Sequence, residues 1–435
     1  MKIYDITKVN KSNYRNILKR PISNNDSIYA NVKSYIEQFK VNPEKTLKEM
    51  LKQFDNLEID DILKLKVDEE KIQNSEKLIS DKEKAAIQKA YENIYNFHIK
   101  QFPQNYSIKY ENDSYLMRKY LPINNVGLYI PGGTAILPST VLMLGIPSQI
   151  AKCPRVVLTS PVKNNSDISP YILYAAKLCG ITEIYKIGGI QAIALLAYGL
   201  ETKIDKVDKI FGPGNSYVTA AKLYVANDIN SNCAIDMPAG PSEVLVIADE
   251  FANPDFIAAD LLSQAEHGFD SQVVLLSTSD EIIKKVLISL NEQVEYLERK
   301  DFIKNSLENS IIIKVNTLEE AFEISNEYAP EHLILNIKNF ENYIDLIKNA
   351  GSVFLGQYSP ESFGDYAAGT NHSLPTNGYA KAFSGIGVEA FMKSITFQYH
   401  SKKAFYELSE TVEILADIEQ LPAHKNAVTI RKKGE

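Results

Sequence analysis

A succession of short apolar runs constrains the fold of this chain more than any other feature. From Val126 onwards, each run is followed by a glycine or proline turn and then by a segment with helical spacing of apolar residues. Strands this apolar, separated by helix-length segments, favour parallel sheets covered by helices on both faces. Eight runs are clear and a ninth is possible; they span residues 126–130, 155–160, 183–188, 208–212, 242–249, 271–278, 310–315, 332–337 and 352–356.

The runs are too many for one small sheet, so we predict an α/β fold with two Rossmann-like units and mostly parallel sheets. A length of 435 residues favours two or three domains. Residues 31–101 are rich in Lys, Glu and Gln with apolar residues at helical spacing, which predicts surface helices. The predicted organisation is an N-terminal arm (1–30), a discontinuous first α/β domain (31–130 and 238–386), a second α/β domain (131–237) and a helical C-terminal tail (387–435).

Charge and composition disfavour several classes of partner. The chain carries 47 basic and 55 acidic residues, a formal net charge of −8, which repels nucleic acids and anionic membranes. The first ten residues lack the apolar segment of a secretion signal, and prolines and serines interrupt the apolar stretch 134–151. The 3 cysteines are widely spaced, as is typical of reduced thiols. We therefore predict a cytoplasmic protein without nucleic-acid or membrane partners.

Three glycine-bearing turns follow predicted strands, at residues 131–134, 188–191 and 212–216. Glycine lets a backbone approach a ligand closely, and helices that begin after such turns attract phosphate groups. The spacing does not match the GxGxxG fingerprint of dinucleotide-binding folds. These residues alone therefore leave two interpretations open, a nucleotide site or ordinary strand-to-helix turns.

Two pairs of polar residues are candidates for chemistry. Gln264 and His267 are three apart, which places them on one helix face, where an amide oxygen and an imidazole could bind a metal. Glu331 and His332 follow Pro330 at the start of a predicted strand. Adjacent strand residues point to opposite faces, so this pair can serve one site only if Pro330 keeps the strand start irregular. Structural roles remain open for all four.

Two further segments are too polar for a core. Residues 363–376 place Asp365 and His372 among turn residues, a density that suggests a site. Near the C-terminus, Glu419 and His424 flank a proline that is expected to end one helix and begin another. By themselves Glu419 and His424 would pass as surface residues.

Seven ordered motifs resemble those of the histidinol dehydrogenase family from about residue 120 to the C-terminus: YIPGGTA, GGIQAIA, FGPGN, IDMPAGPSEVLVIAD, LLSQAEHG, APEHL and GDYAAGTNH. The first hundred residues contribute little to the match. The resemblance implies an NAD- and zinc-dependent enzyme that oxidises L-histidinol to L-histidine through L-histidinal, the last step of histidine biosynthesis. It also implies a homodimer with one Zn²⁺ per subunit and shared active sites.

The resemblance further implies a role for individual residues. In catalysis, His332 would remove the alcohol proton and Glu331 would activate water. The implied zinc ligands are Gln264, His267 and Asp365 from one chain and His424 from the partner chain. The implied substrate contacts are Ser242, Gln264, His267, His332, Asp365, His372, Glu419 and His424, and the implied NAD contacts are Tyr129, Gln191 and Asn215.

The chain departs from the family pattern at Gln420, where glycine usually follows the substrate-binding glutamate, and at Phe269, where proline is common. Three alternatives remain. A relative that oxidises another polar alcohol, such as a sulfonated propanediol, is disfavoured because the Glu419 carboxylate would repel a sulfonate. A zinc hydrolase would leave the glycine turns without a purpose. A non-catalytic binding protein would not explain the polar segment 363–376.

Overall fold

The computed structural model describes residues 1–6, 14–21, 25–132, 136–162, 166–238 and 240–434. The chain divides into two compact units: Met1–Gln101 with Ile123–Phe391, and Phe102–Pro122 with Met392–Glu435. Part of the predicted N-terminal arm, and Gly133 and Thr134 of the first glycine turn, lie outside the described residues. The predicted domain boundaries stay a prediction.

Strands and helices alternate through the first unit. The described strands are β1 (Lys2–Asp5), β2 (Tyr106–Lys109), β3 (Tyr115–Pro122), β4 (Asn125–Tyr129), β5 (Arg155–Ser160), β6 (Glu183–Lys186), β7 (Lys209–Phe211), β8 (Ala234–Ile235), β9 (Glu243–Ala248), β10 (Gln272–Ser277), β11 (Ile311–Lys314), β12 (His332–Asn336), β13 (Ser352–Leu355) and β14 (Met392–Tyr399). The described α-helices are α1 (Tyr14–Ile17), α2 (Asn25–Val41), α3 (Pro43–Asp55), α4 (Glu69–Asn74), α5 (Asp81–His98), α6 (Pro138–Ala151), α7 (Pro170–Leu178), α8 (Gly189–Tyr198), α9 (Ser216–Asn227), α10 (Pro254–Ala265), α11 (Asp280–Val294), α12 (Lys300–Glu308), α13 (Leu318–Tyr328), α14 (Glu361–Tyr366), α15 (Lys402–Ile418) and α16 (Pro422–Lys433).

The larger sheet of the first unit has six parallel strands in the order β1-β11-β10-β9-β12-β13. Every residue of β9, β10 and β12 is buried, as expected of central strands in a sheet with both faces covered. Alternate side chains of β9 serve the two faces. Val244 packs in one apolar cluster with residues of α10 and α11, whereas Leu245 packs in another with residues of α13.

The smaller sheet of the first unit has five parallel strands in the order β6-β5-β4-β7-β8. Its helices include α6 and α8, in which nearly every residue is buried. A helix that is apolar all round has to lie in the interior of a protein, which explains their position between other elements. Both parallel sheets therefore carry the doubly covered architecture that the apolar runs predict.

The second unit combines an antiparallel sheet, in the order β14-β3-β2, with the helices α15 and α16. In β14 only Met392 is buried, and Ile395, Phe397 and Tyr399 are exposed. No residue of α16 is buried. This unit thus presents a large apolar surface to its surroundings.

The predicted fold class is confirmed, and all nine apolar runs form strands. Five strands lie outside the predicted runs: β1, β2, β3, β8 and β14. The N-terminal segment contributes β1, which pairs with β11 from the far end of the unit. The tail begins with β14 and becomes helical only at Lys402, since residues 392–399 alternate polar and apolar side chains, a pattern with the period of a strand. None of the helices in the described part of the chain combines the length and the hydrophobicity that a transmembrane span requires.

Candidate active site and metal centre

A cleft of about 1020 Å³ in the first unit is the candidate functional site. Its lining contains eight of the residues that the family resemblance implies: Ser242, Asn215, Gln264, His267, Glu331, His332, Asp365 and His372. These residues come from segments up to 157 positions apart (372 − 215 = 157), so only the fold brings them together.

The cleft lies at the edge where β9 and β12 begin. Their register pairs His332 with Val244, so that Glu243 and Glu331 lie at adjacent strand starts. Helix α10 begins at Pro254, with Asn253 capping its first turn, and runs back towards this edge. Because a crossover helix is antiparallel to its strands, the last turn of α10 brings Gln264 to the same edge. His267 lies two residues beyond the helix end, so the predicted placement of both residues on one helix face is not what the structure shows.

Glu331 and His332 meet in the cleft because Glu331 precedes the regular strand. Helix α13 ends at Tyr328, the C-cap residue Ala329 has a left-handed conformation (φ 52°), and Pro330 follows. The Glu331 Oε2 atom lies 3.6 Å from His332 Nδ1. Glu331 thus lies just before the regular strand, which meets the condition under which the two residues can serve one site.

The backbone of Glu243 orients both side chains. Its N–H donates to Glu331 Oε2 (2.9 Å), and its carbonyl lies 3.1 Å from His332 Nδ1. Because a carbonyl can only accept, Nδ1 carries the proton of this hydrogen bond. His332 Nε2 then faces Asp365, 3.6 Å from Oδ1.

The carboxylates around His332 control its charge. Burial opposes protonation of the ring, but Glu361, Glu331 and Asp365 together raise the pKa of His332 to about 10. Burial raises the pKa of Glu331 to about 7, although His332 and the Glu243 N–H oppose this shift. A carboxyl with a pKa near neutrality can exchange protons readily at physiological pH.

His267, Glu361 and Asp365 form a group that could hold a metal ion, with one ligand atom of each within 4.8 Å of the others. Despite burial, the histidines His332, His372 and His267 hold the pKa of Asp365 below its usual value. The His267 ring keeps contact with solvent, yet the protein atoms packed around it lower its pKa. An ionised carboxylate and a neutral imidazole are the forms that bind metals.

Gln264 lies against this group through Glu361. In one of its two amide orientations, Gln264 has a hydrogen-bond partner for both its nitrogen and its oxygen. Nε2 then donates to the Glu361 carboxylate (2.9 Å to Oε2), and Oε1 accepts from the Glu243 N–H (3.2 Å). Sequence reasoning missed Glu361. The signal was its position four residues before Asp365, which places both carboxylates on one helix face.

His372 braces the segment that carries Asp365. Its Nδ1 lies 2.9 Å from the Asp365 carbonyl and its Nε2 lies 3.2 Å from Thr140 Oγ1. Burial lowers the pKa of His372. Ser242 lines the cleft immediately before β9.

The three residues implied for NAD lie in two places. Asn215 lines the cleft and caps α9, where its Oδ1 accepts from the N–H groups of Tyr217 and Val218 (3.1 Å each). Tyr129 and Gln191 are buried next to the turn at residues 188–191, outside the cleft lining as described. The Tyr129 hydroxyl accepts from the Gly189 N–H (3.1 Å), and Gln191 Nε2 donates to Asp55 (2.8 Å).

Close packing within the protein explains why two of the turn positions require glycine, even when no ligand is considered. A Cβ at Gly188 would collide with Pro161, and one at Gly212 would collide with the Tyr129 carbonyl. Gly212 also has a φ of 121°, a conformation that essentially requires glycine. The buried Lys222 further fixes this turn, donating to the Gly212 carbonyl (2.7 Å) and pairing with Asp236 (2.5 Å).

Glu419 and His424 lie in the second unit and both are exposed: Glu419 follows α15, and His424 lies in the first turn of α16. Gln420 adopts a φ of 58°, the left-handed conformation that favours glycine. The conformation that favours glycine is therefore present at the position where the sequence departs from the family resemblance. Pro422 begins α16, which confirms the predicted helix break. The participation of Glu419 and His424 in the active site stays a prediction.

Two parallel sheets and a cleft lined by buried carboxylates and histidines define an α/β enzyme with a candidate metal centre. The model of the family described as "Histidinol dehydrogenase" matches residues 18–432. The chain therefore belongs to the histidinol dehydrogenase family, and the resemblance read from its motifs is confirmed.

Individual relatives agree along nearly the whole length. The chain is 48% identical to a histidinol dehydrogenase from Bacteroides fragilis over 422 residues, which cover 97% of each protein. It is 46% identical to that of Schizosaccharomyces pombe, over 95% of this chain and 94% of the relative. A crystal structure of histidinol dehydrogenase from Elizabethkingia anophelis superposes with a TM-score of 0.93 at 47% identity, covering 100% of this chain and 98% of that one.

Proposed function

We propose that this protein oxidises L-histidinol to L-histidine through L-histidinal with two molecules of NAD, as the last step of histidine biosynthesis. One observation carries the proposal. The backbone of Glu243 binds both Glu331 and His332, and this pair lies beside the group formed by His267, Glu361 and Asp365. This arrangement supplies a base, an activator of water and a place for a cation within one cleft.

The residues of the cleft fit a divalent cation. His267, Glu361 and Asp365 each offer a ligand atom within 4.8 Å of the others, and nitrogen and carboxylate oxygen are suitable donors for such an ion. We propose that Gln264, His267 and Asp365 would hold Zn²⁺, with His424 of a second chain as a further ligand. When bound, Zn²⁺ would orient the nitrogen atoms of the substrate.

His332 would remove the proton of the alcohol in the first oxidation. Its pKa of about 10 favours protonation near pH 7. Because a divalent cation among the same carboxylates would add positive charge beside the ring, we expect its binding to lower the pKa of His332. Nε2 could then accept the alcohol proton, while the Nδ1 hydrogen bond to the Glu243 carbonyl fixes the ring.

Glu331 would take a proton from the water that attacks the aldehyde, which the pKa of about 7 supports. NAD, when bound, would accept the hydride of each oxidation. The cleft supports this role because it extends from His332 to the turn at residues 212–216, where Asn215 caps α9. Tyr129 and Gln191 remain the proposed contacts outside the cleft.

Exposed apolar surface supports a homodimer. In the second unit Ile414, Ile418 and Ile430 of α15 and α16 are exposed, together with the aromatic residues of β14. Burial of such a surface is a common driving force of dimer formation. Because Glu419 and His424 lie exposed on the same unit, we propose that each chain supplies them to the cleft of its partner.

Mixing two inactive variants tests the shared site. We expect a Glu331→Gln chain and a His424→Ala chain, exchanged in equal amounts, to recover about a quarter of wild-type activity. Random pairing makes about half of the dimers mixed, and each mixed dimer holds one intact site. The measurement is the rate of NADH formation after subunit exchange, with mixed dimers verified by mass.

The matched control mixes Glu331→Gln with His267→Ala. Both residues belong to the cleft of one chain, so neither site of a mixed dimer is intact and no recovery is expected. Absence of recovery in verified Glu331→Gln and His424→Ala mixed dimers would count against the shared site.

Three free cysteines, Cys153, Cys179 and Cys233, support the proposed cytoplasmic location, since reduced thiols are typical of that compartment.

The substrate assignment is tested by supplying zinc-loaded protein and NAD with histidinol or with a sulfonated propanediol. NADH formation with histidinol supports the proposal. NADH formation only with the sulfonated alcohol, or hydrolysis of an ester without NAD, overturns it.

A further inference from the structure

We propose that Arg20 is a positioning residue that keeps the Glu331–His332 pair in its reactive arrangement, acting through Glu243. This inference rests on the proposed function of that pair. Arg20 lies outside every motif of the family resemblance, in the N-terminal segment between α1 and α2.

Glu243 is the common support of the two reacting groups. Its N–H binds the Glu331 carboxylate and its carbonyl binds the His332 ring. A shift of this one residue would therefore move or turn both side chains together. The side chains that hold Glu243 in place are therefore important for the chemistry.

The side chain of Glu243 is fixed chiefly by Arg20. The guanidinium pairs with both carboxylate oxygens, Nε with Oε1 and Nη2 with Oε2 (2.9 Å). The only other contact described for this carboxylate is the N–H of Asn377, 3.0 Å from Oε1. The Glu243 side chain is 2% exposed, so its charge depends on this bidentate pair.

Arg20 also holds the chain that leads into Glu331. Its Nη2 donates to the Tyr328 carbonyl (2.8 Å), and its guanidinium carbon lies 3.9 Å from the centre of the Tyr328 ring. Tyr328 ends α13, three residues before Glu331. One arginine thus connects Glu243, at the start of β9, with the segment that leads into the reacting pair at the start of β12.

Loss of Arg20 would leave a buried carboxylate without its cation. The Glu243 side chain would then take up a proton or move towards water, and either change disturbs its backbone. Because a displacement of about 1 Å in a reacting group can cost about 100-fold in rate, we expect Arg20→Ala to lower kcat by about 100-fold. The Arg20→Lys variant keeps the charge but not the two-pronged geometry, so an intermediate loss is expected.

Arg155 provides a matched control in the same unit. It also forms a bidentate pair, with Glu183 (2.7 and 2.8 Å), and also donates to two backbone carbonyls. It lies in β5, outside the described lining of the cleft. Arg155→Ala should therefore cost stability in the same way but leave kcat within about 3-fold of wild type.

The experiment measures kcat and KM for histidinol, zinc content and the unfolding temperature of wild type, Arg20→Ala, Arg20→Lys and Arg155→Ala. It is repeated with guanidinium at non-denaturing concentrations. The inference predicts a loss of kcat with zinc retained in Arg20→Ala and partial recovery of kcat by guanidinium. If Arg20→Ala does not fold, Arg20→Lys is tested in its place, and the inference predicts an intermediate loss of kcat with zinc retained.

Three results would overturn the inference. They are an unchanged kcat in the Arg20 variants, a loss equal to that of Arg155→Ala, or a rise in KM alone, which would make Arg20 a direct substrate or cofactor contact. Failure of wild-type protein to oxidise histidinol would instead refute the proposed function, so the two failures are distinguishable.

Discussion

Replacing His332 with asparagine lowers kcat for histidinol oxidation by about 10²- to 10⁴-fold, the usual contribution of a positioned general base. Asparagine can place its amide N–H near the position of Nδ1 and so keep the hydrogen bond to the Glu243 carbonyl. It has no atom at the position of Nε2, which is the proposed proton acceptor. The change therefore removes the base with little disturbance of its support.

The controls separate chemistry from folding. The same change at His98, another buried histidine whose Nδ1 binds a backbone carbonyl (Ile94, 2.8 Å), should cost stability but leave kcat within about 3-fold of wild type. Zinc content and unfolding temperature are measured for both variants. A His332→Asn protein with wild-type kcat would exclude His332 as the base.

Replacing His267 with alanine lowers the affinity for Zn²⁺ by more than about 100-fold. Loss of a residue that hydrogen-bonds to a metal ligand typically lowers metal affinity by about 10- to 100-fold, and loss of the ligand itself costs more. Activity falls with metal content. His267 is exposed at the end of α10, so we expect the free energy of unfolding of the chelated protein to change by no more than about 0.5 kcal/mol.

Metal titration monitored by calorimetry measures this affinity, and equilibrium unfolding measures stability. His400→Ala is the control, since His400 is exposed in the second unit and outside the described cleft. Wild-type zinc affinity in His267→Ala would contradict the proposed ligand set. Global unfolding of wild-type protein on chelation would show a structural metal instead.

The sequence predicts the central strands well because their burial on both faces demands uninterrupted apolar runs. Every residue of β9 and β10 is buried, and both were predicted. Strand β1 was missed because it is short and lies at the sheet edge, where its pairing with β11 depends on residues about 300 positions away. Strand β14 was missed although residues 394–399 alternate, because seven of its eight residues are exposed and its partner β3 lies about 270 positions earlier in the chain.

The candidate site was predicted where a local motif carries the chemistry, as at Gln264 with His267 and at Glu331 with His332. Residues that act through distant contacts carry no such signal. Arg20 and Glu243 are 223 positions apart and meet only in the folded chain. Glu361 offered a weak signal, its spacing from Asp365, which becomes meaningful only once α14 is placed beside α10.

The stoichiometry of cofactor reduction tests the central claim most directly. Zinc-loaded protein is given a limiting amount of histidinol with excess NAD, and NADH is followed by absorbance until the reaction ends. We predict two NADH and one histidine per histidinol, with the aldehyde retained between the two oxidations. Absence of NADH, or a single NADH with release of histidinal, would contradict the account.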